Sequence, residues 1–291
     1  MTNFGFVTLP LHSTTSVVVK CWAQAEGWTR KITSRMYADA DEEFITRLFH
    51  GRFNFALGMA SNRHEVQRAF DKDLELFLSN RGIHVNLRDR TRGLFAHSEL
   101  HNRRREGKTG GDIGLLLVRP QVSLNGDTIR IDKDRRGLLC QAKRQKANGR
   151  WGGFTKRQRE LFATTKRFQH LLLYPAQDER TPGLGSFRWH ACDGQETHAA
   201  VERWLTGDAF PKCRTALSSS AVLTAMGRGE IGTDDATEID TYISETKLPS
   251  LEIRVEWPVG REPHGETLSS IIRDSLVQTE PERAHVRMFR T

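Results

Sequence analysis

Three residues have types and spacing suited to chemistry: Asp112, directly behind Gly110-Gly111, and Gln141 and Lys143, 29 and 31 residues further on. Brought together, they would offer a carboxylate, an amide oxygen and an ammonium. Phosphodiester hydrolysis calls for such a set. A hard divalent cation takes oxygen ligands, and Mg²⁺ characteristically uses one or two carboxylates together with substrate phosphate and water. The cation acidifies bound water and offsets developing charge, while a neighbouring lysine orients that water or stabilises a pentavalent phosphorane. Gln-x-Lys alone reads more simply as a strand that turns polar where it meets solvent. Asp112 behind two glycines, the strand context and the flanking cations favour the chemical reading.

Convergence needs particular elements. Strand side chains alternate, so Gln141 and Lys143 share one face and Ala142 points to the other. In "RRGLLCQAKRQK" (135–146), Leu138, Leu139 and Cys140 make the strand mostly apolar, as befits a central position. Asn125-Gly126 between "QVSL" and "DTIRI" is a two-residue hairpin signal, which allows the Asp112 strand to neighbour the Gln141 strand. Upstream, "NRHEVQRAFDKDLELFLSNRG" predicts a helix with Val66, Phe70, Leu74 and Phe77 at helical spacing, Asn62 as N-cap and Gly82 at its end. "SVVVKCW" reads as short strands, "DEEFITRLFHGRFNFAL" as an amphipathic helix and "IHVNL" (83–87) as a short strand. Downstream, "TKRQRELFATTKRF" predicts a helix and "HLLLYP" a buried strand. "SLEIRVEWP" alternates, with Leu251, Ile253, Val255 and Trp257 on one face and Glu252, Arg254 and Glu256 on the other.

The expected fold is therefore α/β: a mixed central β-sheet flanked by helices. Residues 1–60 are read as an N-terminal α+β extension, 61–190 as the core, and 191–291 as a C-terminal α+β region that could bind a partner. The formal net charge of +8 is concentrated in "NRRREGK", "RIDKDRRG", "KRQKANGRW" and "KRQRE", which favours a phosphate-binding surface over a merely solvated face. Apolar runs are too short to span a bilayer, and the first residues lack the pattern of a signal peptide. Four scattered cysteines fit free thiols in a reducing cytoplasm.

"GGDIGLLL", "LLCQAKR" and "RQRELF…HLLLYP" resemble the PD-(D/E)xK nuclease superfamily, in its restriction-endonuclease-like, Mrr-like branch, over roughly residues 62–175. The resemblance implies that Asp112 ligates a metal, that Gln141 takes the place of the usual glutamate as in QxK variants, and that Lys143 is the catalytic lysine. It adds the Ala142 backbone carbonyl as a ligand, and a glutamate ahead of the aspartate, for which Glu65 and Glu99 are both candidates. Gln158 and Phe162 resemble a Q-x-x-x-Y element with Phe in place of Tyr. The simpler readings are a surface helical carboxylate for Glu65 and a salt-bridge partner of Arg103 or Arg104 for Glu99.

The reading that follows is an Mg²⁺- or Mn²⁺-dependent endonuclease acting on DNA. Arg103, Arg104, Arg144, Lys146, Arg150, Lys156 and Gln158 would meet the backbone, contacts that position without reading sequence. Trp151, between glycines, would either stack on a base or pack over the sheet. Members of the superfamily often serve restriction or anti-phage defence, which implies an ATPase or helicase-type partner; a homodimer is compatible, since cutting both strands of a duplex calls for two sites. The rival reading is a non-catalytic nucleic-acid-binding or scaffolding subunit, favoured by the charge lost at Gln141. Two decoys are set aside: "GKT" (107–109) lacks the P-loop's first glycine, and "GRGEIG" (227–232) has no strand before it. His190, Cys192, His198 and Cys213 match no ordinary zinc-site spacing.

Overall fold

The computed structural model describes residues 7–36, 42–85, 87, 93–101, 112–125, 128–144, 155–156, 169–174, 188–191, 218–244, 246, 249–259, 261 and 269–270. Its elements run β1 (Val7–Thr8), α1 (His12–Met36), α2 (Glu42–Asn62), α3 (Glu65–Ser79), β2 (Phe95–His101), β3 (Ile113–Asn125), β4 (Thr128–Arg144), β5 (Gln169–Tyr174), β6 (Arg188–Ala191), α4 (Ser219–Gly227), α5 (Ala236–Ser244) and β7 (Ser250–Glu256). The strands form one mixed sheet in the order β2-β7-β3-β4-β5-β6, with β1 on the outer part of β3. The chain thus has a mixed α/β fold. Among the described residues, no helix is long and apolar enough to cross a membrane.

The hairpin expected at Asn125 is present: β3 and β4 pair antiparallel from Asn125↔Thr128 down to Ile113↔Cys140. β4 is central, because β5 adds to its other edge in parallel, Gln141 facing Leu171. Alternation then sorts the side chains. Ile113, Leu115, Leu117, Leu138, Cys140 and Ala142 join the core shared with α1, α2 and α3. Leu116 and Val118 lie on the opposite face and pack against Ile239 of α5. Two glycines make room for α5 there. A Cβ on Gly114 would stand 2.5 Å from the Tyr242 carbonyl oxygen, and one on Gly137 would stand 2.9 Å from the Ile239 side chain.

Three local expectations are corrected. "SVVVKCW" is not strand but part of α1. Val18, Cys21, Trp22 and Ala25 recur at helical spacing and are all buried, Trp22 against Phe49 and Phe53 of α2 at centroid distances of 4.4 and 5.2 Å. Burying rings of that size, each stabilising by roughly 1.5–3 kcal/mol, outweighs the few tenths by which β-branched residues disfavour helix. Asn62 is the last residue of α2 rather than the N-cap of α3, which is His64 in the left-handed region at φ 56°. Residues 83–85 and 87 belong to no strand; the Leu87 N–H instead donates to Glu75 Oε1 at 2.7 Å.

Two carboxylate and amide contacts explain why the helical layer seats where it does. Asp73 of α3 caps α1 from outside: Oδ1 accepts the Ser13 N–H, and Oδ2 accepts the Thr14 N–H and hydroxyl. An anion there also meets the positive end of the helix dipole. The open edge of β2 is closed by α2, whose Asn54 accepts the Ser98 N–H while His50 bonds the Ser98 carbonyl and Ser61 both donates to and accepts from Ala96. An unpaired strand edge is thereby satisfied by side chains. β7 lies between β2 and β3, and α1 and α2 share its core, so residues from 1–60, 61–190 and 191–291 all build this one body.

Candidate functional site

The register that places Ile113 opposite Cys140 brings Asp112, one residue earlier, beside Gln141. The Asp112 N–H donates to the Cys140 carbonyl at 2.9 Å, which fixes the backbone at the mouth of the strand. The Asp112 carboxylate receives three groups through Oδ2: the Gln141 side-chain N–H₂, the Ala142 backbone N–H at 3.0 Å, and Lys143 Nζ at 3.9 Å. All three expected side chains therefore meet. They are also buried, with relative exposures of 4% for Asp112, 0% for Gln141 and 7% for Lys143. Gln141 and Lys143 share the sheet face opposite α1–α3, as alternation requires.

One atom is left unsatisfied. Gln141 Oε1 is buried and has no hydrogen-bond partner among the described residues. Orphan buried acceptors are uncommon and each calls for a reason, which a bound ion can supply. With the amide as it stands, the donor end faces the carboxylate and the acceptor end meets no donor among the described residues. Turned over, Oε1 and Asp112 Oδ2 become two adjacent oxygen donors, a pairing tolerable only with a cation between them. The donor set thus fits a hard divalent cation with one carboxylate and one amide oxygen. At Ala142 the contact observed is through the N–H, and the expectation concerned its carbonyl.

The two candidate glutamates sit elsewhere. Glu65 opens α3 in the helical layer, near enough to Cys21 that its charge, after burial, helps push that thiol up to about 11. Asp112 belongs to the other face. Glu99 lies on β2, which is separated from β3 by β7, and its carboxylate is half exposed. Glu99 is instead one of three groups, with His101 and Glu252, whose ligand atoms all lie within 4.8 Å of one another. That cluster is a candidate metal-binding group in its own right. The sequence did not mark His101 or Glu252 as ligands, although "HSELH" carries His97, Glu99 and His101 at strand alternation.

Of the expected backbone-binding residues, Lys156 is described and exposed. Arg103, Arg104, Lys146, Arg150, Trp151, Gln158 and the side chain of Arg144 lie outside the described residues, as do His190's side chain, Cys192, His198 and Cys213. The cations of 130–136 are paired with acids inside and outside the run: Arg119 and Arg136 flank Asp134 at 2.9 and 3.6 Å, Arg130 meets Asp132 at 2.7 Å, and Arg135 meets Asp240 at 3.3 Å. Cys140 and His170, paired across β4 and β5, are buried; burial drives the thiol well above its ordinary range and the imidazole down to about 4, so both are neutral and serve packing. Compared with family models, curated proteins and solved structures, the chain matches none.

Proposed function

We propose that the chain is a metal-dependent endonuclease hydrolysing DNA phosphodiester bonds, on a restriction-endonuclease-like core of the PD-(D/E)xK kind. The observation that carries this reading is the convergence of Asp112, Gln141 and Lys143 at the end of two paired strands, with Gln141 Oε1 buried and unsatisfied. Asp112, Gln141 and the Ala142 carbonyl would hold Mg²⁺ or Mn²⁺, which when bound supplies Lewis acidity toward a phosphate oxygen and a more acidic water. Asp112 and Gln141 orient this centre by their fixed strand register. Lys143 holds its ammonium beside the same carboxylate and hydrogen-bonds the attacking water or the negative charge of the phosphorane. Restriction or anti-phage defence in the cytoplasm, with an ATPase or helicase-type partner or as a homodimer, is the setting the resemblance implies.

A second reading rests on a specific observation. Asp112 already receives an amide, a backbone N–H and an ammonium, and the three side chains are nearly inaccessible. That is how a structural polar knot in a non-catalytic DNA-binding subunit would look. Incubation with supercoiled plasmid in Mg²⁺ or Mn²⁺, alongside gel-shift binding, separates the two. Nicking by wild type that is lost in Asp112→Ala supports the nuclease. Binding with no nicking under either metal supports the scaffold, and nicking that survives the substitution refutes the site.

A further inference from the structure

The geometry points to a second metal site, for a divalent ion of the zinc class, formed by Glu99, His101 and Glu252 on the β2–β7 pair. The strands put the donors there by register. Glu99 is directly across from Glu252 and His101 across from Ser250, so the three side chains leave the same sheet face within one diagonal step. His101 Nε2 already contacts Glu252 Oε2, and all three ligand atoms lie within 4.8 Å of one another. Ligand bonds of about 2.0–2.2 Å need these atoms drawn together by a rotamer adjustment, which the half-exposed Glu99 can make.

Burial and charge argue for a cation. Glu252 is only 2% exposed, an unusual setting for a carboxylate. Among the described residues, three carboxylates, Glu99, Glu252 and Glu256, gather on this face beside Arg254 and Lys133. Arg254 Nε pairs with Glu252 Oε1 at 2.7 Å, which leaves Oε2 turned to His101, and Lys133 lies 3.9 Å from Glu256. His97 Nε2 is a buried nitrogen without a hydrogen bond, 3.6 Å from both Glu99 and Glu256. Among the described residues, carboxylates thus gather around an imidazole nitrogen on this face. Imidazole with carboxylate selects zinc-like ions over Mg²⁺ and Ca²⁺, which prefer oxygen alone.

The site is distinct from the Asp112 centre. The β3 neighbour of Glu252 is Leu116, four residues from Asp112, or about 13 Å along a strand. An ion here would clamp β2 to β7, the pair that ends the sheet, and does not depend on the nuclease reading.

The test is equilibrium dialysis of the full chain against Zn²⁺ in millimolar Mg²⁺, together with thermal melts with and without Zn²⁺, on wild type, Glu99→Gln, His101→Gln and Asp112→Asn. Metal-free melts verify that each variant folds; Glu99 and His101 are exposed enough that their amide replacements leave the core intact. The expected result is Zn²⁺ bound by wild type and Asp112→Asn, with a raised melting temperature, and affinity lower by at least ~10-fold in Glu99→Gln and His101→Gln. Unchanged Zn²⁺ affinity in both of those variants, or no Zn²⁺-dependent rise in the wild-type melt, overturns the proposal.

Discussion

Removing the Asp112 carboxylate should reveal how tightly the candidate site is knit, whatever it catalyses. In Asp112→Ala, Lys143 keeps its ammonium at 7% exposure without the carboxylate, and the Gln141 amide and Ala142 N–H both lose their acceptor. Breaking a buried ion pair by deleting one partner costs about 3–5 kcal/mol, and each orphaned buried donor adds about 1–3 kcal/mol before relaxation. These costs overlap, so we expect about 4 kcal/mol in all. For a chain of this size that lowers the melting temperature by on the order of 10 °C. The double variant Asp112→Ala/Lys143→Met removes the ammonium as well and should recover about half of the loss, since apolar replacement of a buried pair is often neutral. Urea unfolding followed by circular dichroism gives all four corners of the cycle. A single-variant cost below about 1 kcal/mol, or a double variant destabilised by the full sum of the two singles, would refute the reasoning that the pair is buried and coupled.

Other perturbations probe the scaffold. Gly114→Ala places a methyl 2.5 Å from the backbone oxygen of Tyr242, which cannot rotate away, and should cost at least about 2 kcal/mol in urea unfolding, while Gly58→Ala, facing open space, should be neutral or stabilising. Asp73→Ala strips the cap from α1 and leaves the buried Thr14 groups unpaired; a loss of about 2–3 kcal/mol in the same assay is expected. His170 titrates near 4 when folded and near 6.5 when unfolded, so the unfolded chain takes up the proton first. Its contribution is complete above pH 6.5 and is lost as pH falls toward 4, by up to about 3 kcal/mol; His170→Phe should flatten the stability profile in that window, as measured by unfolding at stepped pH.

How much of this was legible in the sequence depended on whether a signal was local. The Asn125 turn and the apolar run ending at Gln141 are local, so the β3–β4 hairpin, the central place of β4 and the meeting of Asp112 with Gln141 and Lys143 could all be read ahead. α1 could not be, because its valines favour strand in isolation and only the Trp22–Phe49–Phe53 packing across two helices decides otherwise. β7 was legible as a strand but not in its place: its insertion between β2 and β3 joins segments more than a hundred residues apart, and no neighbouring residue signals that crossover. Glu252 shows the consequence. Alternation put it on the polar face, correctly, yet its burial and its approach to Glu99 and His101 arise from that long-range pairing. The same separation explains Glu99, close to Asp112 in sequence but held away from it by the intervening strand.

In the proposed nuclease, Lys143, beside Asp112, does chemistry rather than merely pairing charge. The measurement that addresses it most directly is the rate of plasmid nicking in Mn²⁺ by wild type and Lys143→Ala, with gel-shift affinity measured on the same preparations. We expect the substitution to lower the rate by at least ~10²-fold, the ordinary contribution of one positioned catalytic group, while DNA affinity changes little. Equal nicking rates for wild type and Lys143→Ala, in folded protein that binds DNA alike, would contradict it.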